Sequence, residues 1–205
     1  MLYQYILEHF GKDEPIFLNE LPGKSRNAVS QEMKTLVREG KIERLSNGVY
    51  YQSYTTILGT KGRMSVDKYV DKKFINAGGM VSGYFTGIKL ANLYGFTTQI
   101  PSYIEVCSNA ASTKQRKVNI DGRIIVVYKP VTMIREDNVT ALQFLDFMST
   151  VDRYSELQGD ELKEKLREFI TVINLDYNIV RKYISLFPYR VYKNLYQTGL
   201  LKKLI

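Results

Sequence analysis

Apolar residues at helical spacing open the chain: Leu2, Tyr3, Ile6, Leu7 and Phe10 fall on one face of a helix that Gly11 ends. Ile16-Phe17-Leu18 is a short apolar run, and Asn19-Glu20-Leu21 leaves room for barely one helical turn before Pro22-Gly23. The period returns with Val29, Met33, Leu36 and Val37, which predicts a longer helix capped by Ser25 or Asn27 and closed by Gly40 at its C′ position. Lys41 to Leu45 and Val49 to Gln52 follow as strands across Ser46-Asn47-Gly48, because Asn-Gly accepts the positive φ angles of a two-residue hairpin.

The pattern then lapses. Ser53 to Met64 contains two glycines, two cations and no helical or alternating period, so residues 55 to 64 read as a connector. After it, Ser65 caps a helix with Val66, Tyr69, Val70 and Phe74 on one face, ended by Gly78-Gly79, and a second helix is expected from about Gly83 to Tyr94, with Gly95 as its stop. Ser102 to Ser108, Lys117 to Ile120 and Arg123 to Tyr128 read as strands, the last two joined by Asp121-Gly122. From Asn138 the chain is helical, with one stripe at Leu162, Leu166, Phe169, Ile170 and Ile173 and another at Tyr177, Val180, Ile184 and Phe187. The expected class is α+β: a small domain at 1 to 54, the connector at 55 to 64, and a mixed domain at 65 to 205 with a helical C-terminus.

Composition narrows the chemistry. With 205 residues, 44% hydrophobic and 24% charged, the chain has room for one large domain or two small ones. No run of roughly 18 apolar residues occurs, and the Met1-Leu2-Tyr3-Gln4-Tyr5 start lacks the basic and apolar regions of a signal peptide, so no membrane partner and a cytoplasmic location are expected. Cys107 stands alone within an apolar run and reads as a small buried hydrophobe, and a single histidine, His9, argues against zinc or histidine-based catalysis. Phosphate-loop, nucleophile-elbow and His-Glu-x-x-His signatures are absent. Glu105 and Asp121 are the only acids between Asp71 and Glu136, so a carboxylate-built metal nuclease would need contributors from distant parts of the chain. No enzyme, cofactor or metal is expected.

The net charge of +8 hints at a polyanionic partner, but its distribution matters more. Residues 1 to 54 hold seven cations against seven carboxylates, residues 55 to 130 eleven against four, and residues 131 to 205 eleven against ten. Within 24 to 44, Lys24, Arg26, Lys34, Arg38, Lys41 and Arg44 oppose only Glu32, Glu39 and Glu43. On the face opposite the apolar stripe, Arg26, Asn27, Ser30, Gln31, Lys34 and Arg38 form a line without a carboxylate, and Arg, Asn and Gln are the side chains that bond base edges bidentately. Helix, short turn, helix and hairpin in that order are those of a winged helix-turn-helix, whose second main helix enters the major groove while the hairpin tip approaches the backbone. The candidate DNA-binding residues are thus Lys24, Ser25, Arg26, Asn27, Ser30, Gln31, Lys34, Arg38, Arg44 and Asn47. A small α+β domain with a merely solvated polar face is the alternative, and the shortened segment at Asn19 to Leu21 is the winged reading's weakest element.

GKSRNAVSQEMKTLVREGKIERLSNGVYY, GYFTGIKLANLYGFTTQIP, the DGRIIVVYKP hairpin and LFPYRVYKNLYQTGLL, in this order, resemble the AbiE-type abortive-infection antitoxin family over most of the chain. The most specific piece, Leu93 to Pro101, is similar to that family's leucine-glycine-leucine-threonine-x-glutamine-x-proline box, with Phe96 in place of the usual leucine. The resemblance implies a prokaryotic protein whose N-terminal winged helix binds inverted repeats in double-stranded DNA of its own promoter. It also implies an antitoxin that counteracts a nucleotidyltransferase-type toxin, with or without direct contact. The alternative function is a transcriptional regulator whose second domain binds a ligand or another protein.

The residues of the Leu93 to Pro101 box also have a plain reading: Gly95 ends a helix in the left-handed region, Thr97 and Thr98 bond nearby backbone, and Pro101 starts the next strand at its edge. Gln99 is its one candidate for contact with a partner. Lys114, Arg116 and Lys117, with Gln115 between, form a compact basic cluster. It is read either as charge that keeps a strand edge soluble or as a surface for an acidic partner or phosphates.

Overall fold

The computed structural model describes residues 1–23 and 25–204. It is an α+β protein with two separate sheets, and the chain divides into two compact units, residues 1–72 with 120–122 and residues 73–119 with 123–205. Among the described residues no helix is long and apolar enough to cross a membrane.

In the first unit, α1 (Leu2–His9) buries Leu2 and Ile6. A two-residue strand, β1 (Ile16–Phe17), is followed by a single 3-10 turn at Leu18–Glu20. The Glu20 carboxylate accepts a bond from the Phe17 amide at 3.0 Å and so pins that turn at its start. α2 (Arg26–Arg38) begins at Ser25, whose hydroxyl accepts from the Ala28 amide, and buries Val29, Met33 and Leu36. Its end is closed by bonds from the Gly40 amide to the Val37 carbonyl and from the Lys41 amide to the Leu36 carbonyl, which satisfy carbonyls the helix leaves unpaired. β2 (Ile42–Ser46) and β3 (Val49–Gln52) form a hairpin, and the sheet order is β1-β3-β2. The core gathers Ile6, Ile16, Met33 and Ile42, all fully buried. Buried Gln52 donates from its amide to the carbonyls of Ile6 and Phe10 and thereby caps the end of α1 from the sheet.

Two expectations change here. The Asn47-Gly48 turn is not the mirror-image type, which needs positive φ at both residues: Gly48 alone has it, at 75°, and the register slips between Arg44 and Ser46 to absorb the difference. The helix at Ser65, α3 (Val66–Val70), groups with the first unit, so the division between units falls after Lys72. Lysines of α3 and of the turn that follows it tie this segment to the first unit. Lys68 pairs with Asp13 at 2.6 Å, and Lys72 pairs with Glu14 at 2.9 Å and Glu20 at 3.1 Å, so these two side chains are engaged rather than simply solvated.

The second unit carries β4 (Gly83–Phe85), β5 (Tyr103–Ser108), β6 (Gln115–Ile120) and β7 (Arg123–Tyr128) in the order β4-β5-β7-β6. β5 runs antiparallel to β4 and parallel to β7. The helix expected over 83 to 94 is shorter, α4 (Gly87–Leu93), because Gly83 to Phe85 pair with Val106 to Ser108 as a strand and Gly87 takes φ +58°, which breaks continuity. Pro101 does not itself start the next strand: β5 begins two residues later, at Tyr103. The helical C-terminus comprises α5 (Val139–Met148), α6 (Val151–Tyr154), α7 (Gly159–Val172), α8 (Tyr177–Tyr183) and α9 (Tyr189–Gln197). α5 is buried on most sides, as its run of Leu, Phe and Met requires. Asn194 of α9 donates to the Met148 carbonyl at 2.8 Å, which satisfies an unpaired group at the buried end of α5.

Phe96 sits at the middle of this core. Gly95, at φ +72°, ends α4, and the Phe96 amide reaches back to the Ala91 carbonyl at 2.8 Å. That closure aims the ring at Phe147 and Phe169, with centroids 4.6 and 5.8 Å away. The sequence box is therefore a helix stop that delivers an aromatic anchor.

Candidate functional sites

The face of α2 away from the core is built by the phase of the helix. Val29, Met33 and Leu36 turn inward, so Arg26, Asn27, Gln31, Lys34 and Arg38 stand exposed on the outside, with Ser30 half-buried among them. Ser25 is exposed as well, but its hydroxyl is committed to capping the helix. Glu32, on the flank of the helix, accepts from the Leu2 amide at 3.3 Å. The outward line is therefore free of negative charge, as its sequence spacing requires. Lys24 lies outside the described residues.

At the hairpin tip, Arg44 and Asn47 are exposed and bound to each other: the Arg44 guanidinium donates to the Asn47 side-chain oxygen at 3.0 Å and to the Ser46 carbonyl at 3.3 Å. These bonds hold the cation against the turn. Two of the sequence candidates thus form one small preorganised unit, with guanidinium donors left over for an anion.

The candidates of the second unit separate. The exposed Gln99 donates to Glu156 at 3.1 Å, and the same carboxylate accepts from the Thr98 amide at 2.8 Å and the Thr98 hydroxyl at 3.1 Å. Those bonds hold the Glu156 carboxyl below its ordinary range. Thr97 accepts from the Gln99 amide at 3.1 Å, the local backbone bond expected of it. Lys114 is exposed at the rim of a pocket, Arg116 is half-buried with its guanidinium 5.8 Å from the Phe74 ring, and Lys117 is exposed on β6, the edge strand of the sheet.

That pocket has a volume of 290 Å³, and sequence reading missed it. Glu105 of β5, only 4% exposed, accepts bonds from the Ile88 amide at 3.1 Å and the Tyr128 hydroxyl at 3.0 Å. A side chain at position 87 would drive its Cβ into the Glu105 carboxylate, so glycine is required there for space as well as for its positive φ. Asp146 of α5 accepts from the Thr86 hydroxyl. Burial pushes the Asp146 carboxyl up to about 6, and the neighbouring Glu105 charge adds to the shift. Burial also raises Glu105, opposed by its two hydrogen bonds and by Arg153. Cys107 lies in the same lining and is pushed up to about 12 by burial, which leaves it an unreactive thiol. One signal was available in the sequence: Glu105 and Asp146 are lone acids inside otherwise apolar segments.

Among the described residues no group of three or more His, Cys, Asp or Glu side chains is arranged to hold a metal ion. No family model and no curated protein matches the chain. The likeness to abortive-infection antitoxins accordingly rests on its motifs.

Proposed function

We propose that this chain is a DNA-binding antitoxin and autorepressor of a toxin-antitoxin operon, its first unit acting as a winged helix-turn-helix on double-stranded promoter DNA. The observation that carries the reading is the outward face of α2, five exposed residues able to bond bases or phosphates with no carboxylate among them. Arg26, Asn27 and Gln31 would read base edges and Lys34 and Arg38 would meet phosphates, while the Arg44 and Asn47 tip would lie against the backbone. In this reading the single 3-10 turn at Leu18–Glu20 takes the place of a longer positioning helix. The antitoxin half of the proposal is supported by the motif order: the chain counteracts a nucleotidyltransferase-type toxin with or without direct contact, and Gln99, Lys114, Arg116 and Lys117 are separate candidates for contact with a partner.

Fluorescence anisotropy with DNA from upstream of the gene and a scrambled duplex, across a salt series, tests the DNA reading. Specific binding should weaken linearly in log affinity against log salt, by about 0.9 for each phosphate neutralised. Equal affinity for both duplexes at moderate salt removes it. Rescue of growth by the chain when the toxin is supplied from an independent promoter tests the antitoxin half. A second reading, a regulator whose second unit binds a small ligand, is favoured by the pocket at Glu105 and Asp146.

A further inference from the structure

We propose that the pocket at Glu105 and Asp146 binds a small zwitterion, with its ammonium group on those two carboxylates and its anionic group on Lys114 and Lys129. The inference rests on the second unit alone and holds whether or not the first unit reads DNA. Exposure divides the lining in two. Tyr84, Thr86, Glu105 and Cys107 are buried and form the floor, whereas Lys114, Lys129 and Arg153 are exposed and form the rim.

The floor calls for a cation. Neutral donors serve both carboxylates, the Ile88 amide and Tyr128 hydroxyl for Glu105 and the Thr86 hydroxyl for Asp146. Among the described residues neither forms an ion pair. Taking carboxylates out of water is costly, Arg153 at the rim offsets that cost for Glu105 only in part, and a ligand ammonium supplies further counter-charge together with up to three hydrogen bonds. The rim calls for an anion. The Lys129 amide donates to the Lys114 carbonyl at 3.1 Å, which fixes the two lysines side by side, and neither forms an ion pair among the described residues.

A simple cation would have to pass the basic rim, and a simple anion would face the acidic floor. Only a ligand carrying both charges, with the ammonium leading, is attracted at each end. Size agrees. At 290 Å³ the pocket lies at the lower limit of the roughly 300–1,000 Å³ typical of ligand sites, which fits a small metabolite and excludes a peptide chain.

Isothermal titration of the full chain with 2-aminoethanesulfonate and 3-aminopropanesulfonate tests the proposal, with ethylammonium and ethanesulfonate as the separate halves. Both zwitterions keep fixed charges between pH 5 and 8, so any pH dependence belongs to the protein. At least one should bind tenfold or more tighter at pH 7.5 than either half-ion, and should weaken at pH 5.5 as Asp146 takes up a proton. Asp146→Asn and the double variant Lys114→Ala with Lys129→Ala should each reduce that affinity at least tenfold. The two lysines are exposed, so the double variant keeps its fold and its native circular dichroism confirms it. Zwitterions that bind no better than their halves, that fail to bind, or that bind the natively folded double variant unchanged would overturn the proposal.

Discussion

Two basic stretches of the chain look alike in sequence and differ in space. On α2, cations and amides at positions 26, 27, 31, 34 and 38 all emerge on one side, because steps near 3.6 residues return to the same face and the core takes the other. Around β6, three cations within four residues disperse: Lys114 to a pocket rim, Arg116 against the Phe74 ring, Lys117 to solvent. Arg116 and Lys117 are successive strand residues and point to opposite faces, while Lys114 lies just before β6, so a compact cluster in sequence becomes separate environments. Clustering along the chain predicts a charged surface only when its spacing matches the local period.

The largest effect expected from this contrast concerns DNA. Replacing Arg26, Lys34 and Arg38 together by alanine should weaken promoter binding by on the order of a hundredfold or more, since Arg26 alone is worth ~1–3 kcal/mol if it reads a base. The salt dependence should become shallower by about 0.9 for each phosphate that no longer meets a cation. The matching triple change at Lys114, Arg116 and Lys117 should leave promoter affinity within about threefold, a difference of under ~1 kcal/mol. Equal losses from the two triples, measured by anisotropy on natively folded proteins, would erase the distinction between the two stretches.

A charge enclosed by protein should differ from both. The carboxyl of Asp146 has its ordinary value of 3.8 raised to about 6, so the folded chain retains a proton that the unfolded chain releases across that interval. Stability should therefore be highest near and below pH 4, decline as pH rises toward 6, and level off above it as far as this group is concerned. Urea unfolding midpoints of the protein and of Asp146→Asn across pH 4 to 7 check the sign. The variant should show a flatter profile in that window, and an unchanged slope would locate the titration elsewhere.

Within the basic cluster, Arg116→Ala should cost about 1 kcal/mol through the loss of its stem packing and of its cation–π interaction with Phe74. Its buried Nε has no partner, so removing that atom offsets part of the loss. Lys117→Ala should stay within about 0.5 kcal/mol, as exposed positions usually do. Chemical denaturation at constant m-value separates the two. Similar costs would mean that the strand does not sort its cations as described.

Legibility in the sequence followed the same physics. Helical stripes that face a single core, as in α1, α2 and α7, were readable because their period is set by local geometry. So was the Gly95 stop, whose left-handed conformation few other residues accept. The Asp121-Gly122 hairpin adopts positive φ at both residues, 49° and 79°, while the similar Asn47-Gly48 signal yields a bulged turn with positive φ at Gly48 alone. What escaped was long-range: β4 is a strand because β5 lies beside it, α3 and the turn after it join the first unit with ion pairs from Lys68 and Lys72 to Asp13, Glu14 and Glu20, and Glu105 acts electrostatically on Asp146 across 41 positions of chain. No local period encodes such pairings.

The smallest expected effect tests the Leu93 to Pro101 segment, where a partner-binding role and an architectural one make opposite demands on Gln99. Its side chain is exposed and makes one hydrogen bond to Glu156, whose carboxylate keeps the Thr98 amide and hydroxyl when that bond is removed. Gln99→Ala should therefore change folding stability by no more than about 0.5 kcal/mol. Glu156→Ala removes all three bonds, should destabilise the protein more than Gln99→Ala, and should loosen the segment, seen as faster hydrogen exchange at the Thr98 amide. With stability nearly untouched, Gln99→Ala isolates partner binding from architecture. Failure of toxin rescue at normal protein level would place Gln99 on a partner surface. Unchanged rescue by Gln99→Ala, together with impaired rescue by Glu156→Ala, would make the segment a brace that holds the turn after Phe96 in place.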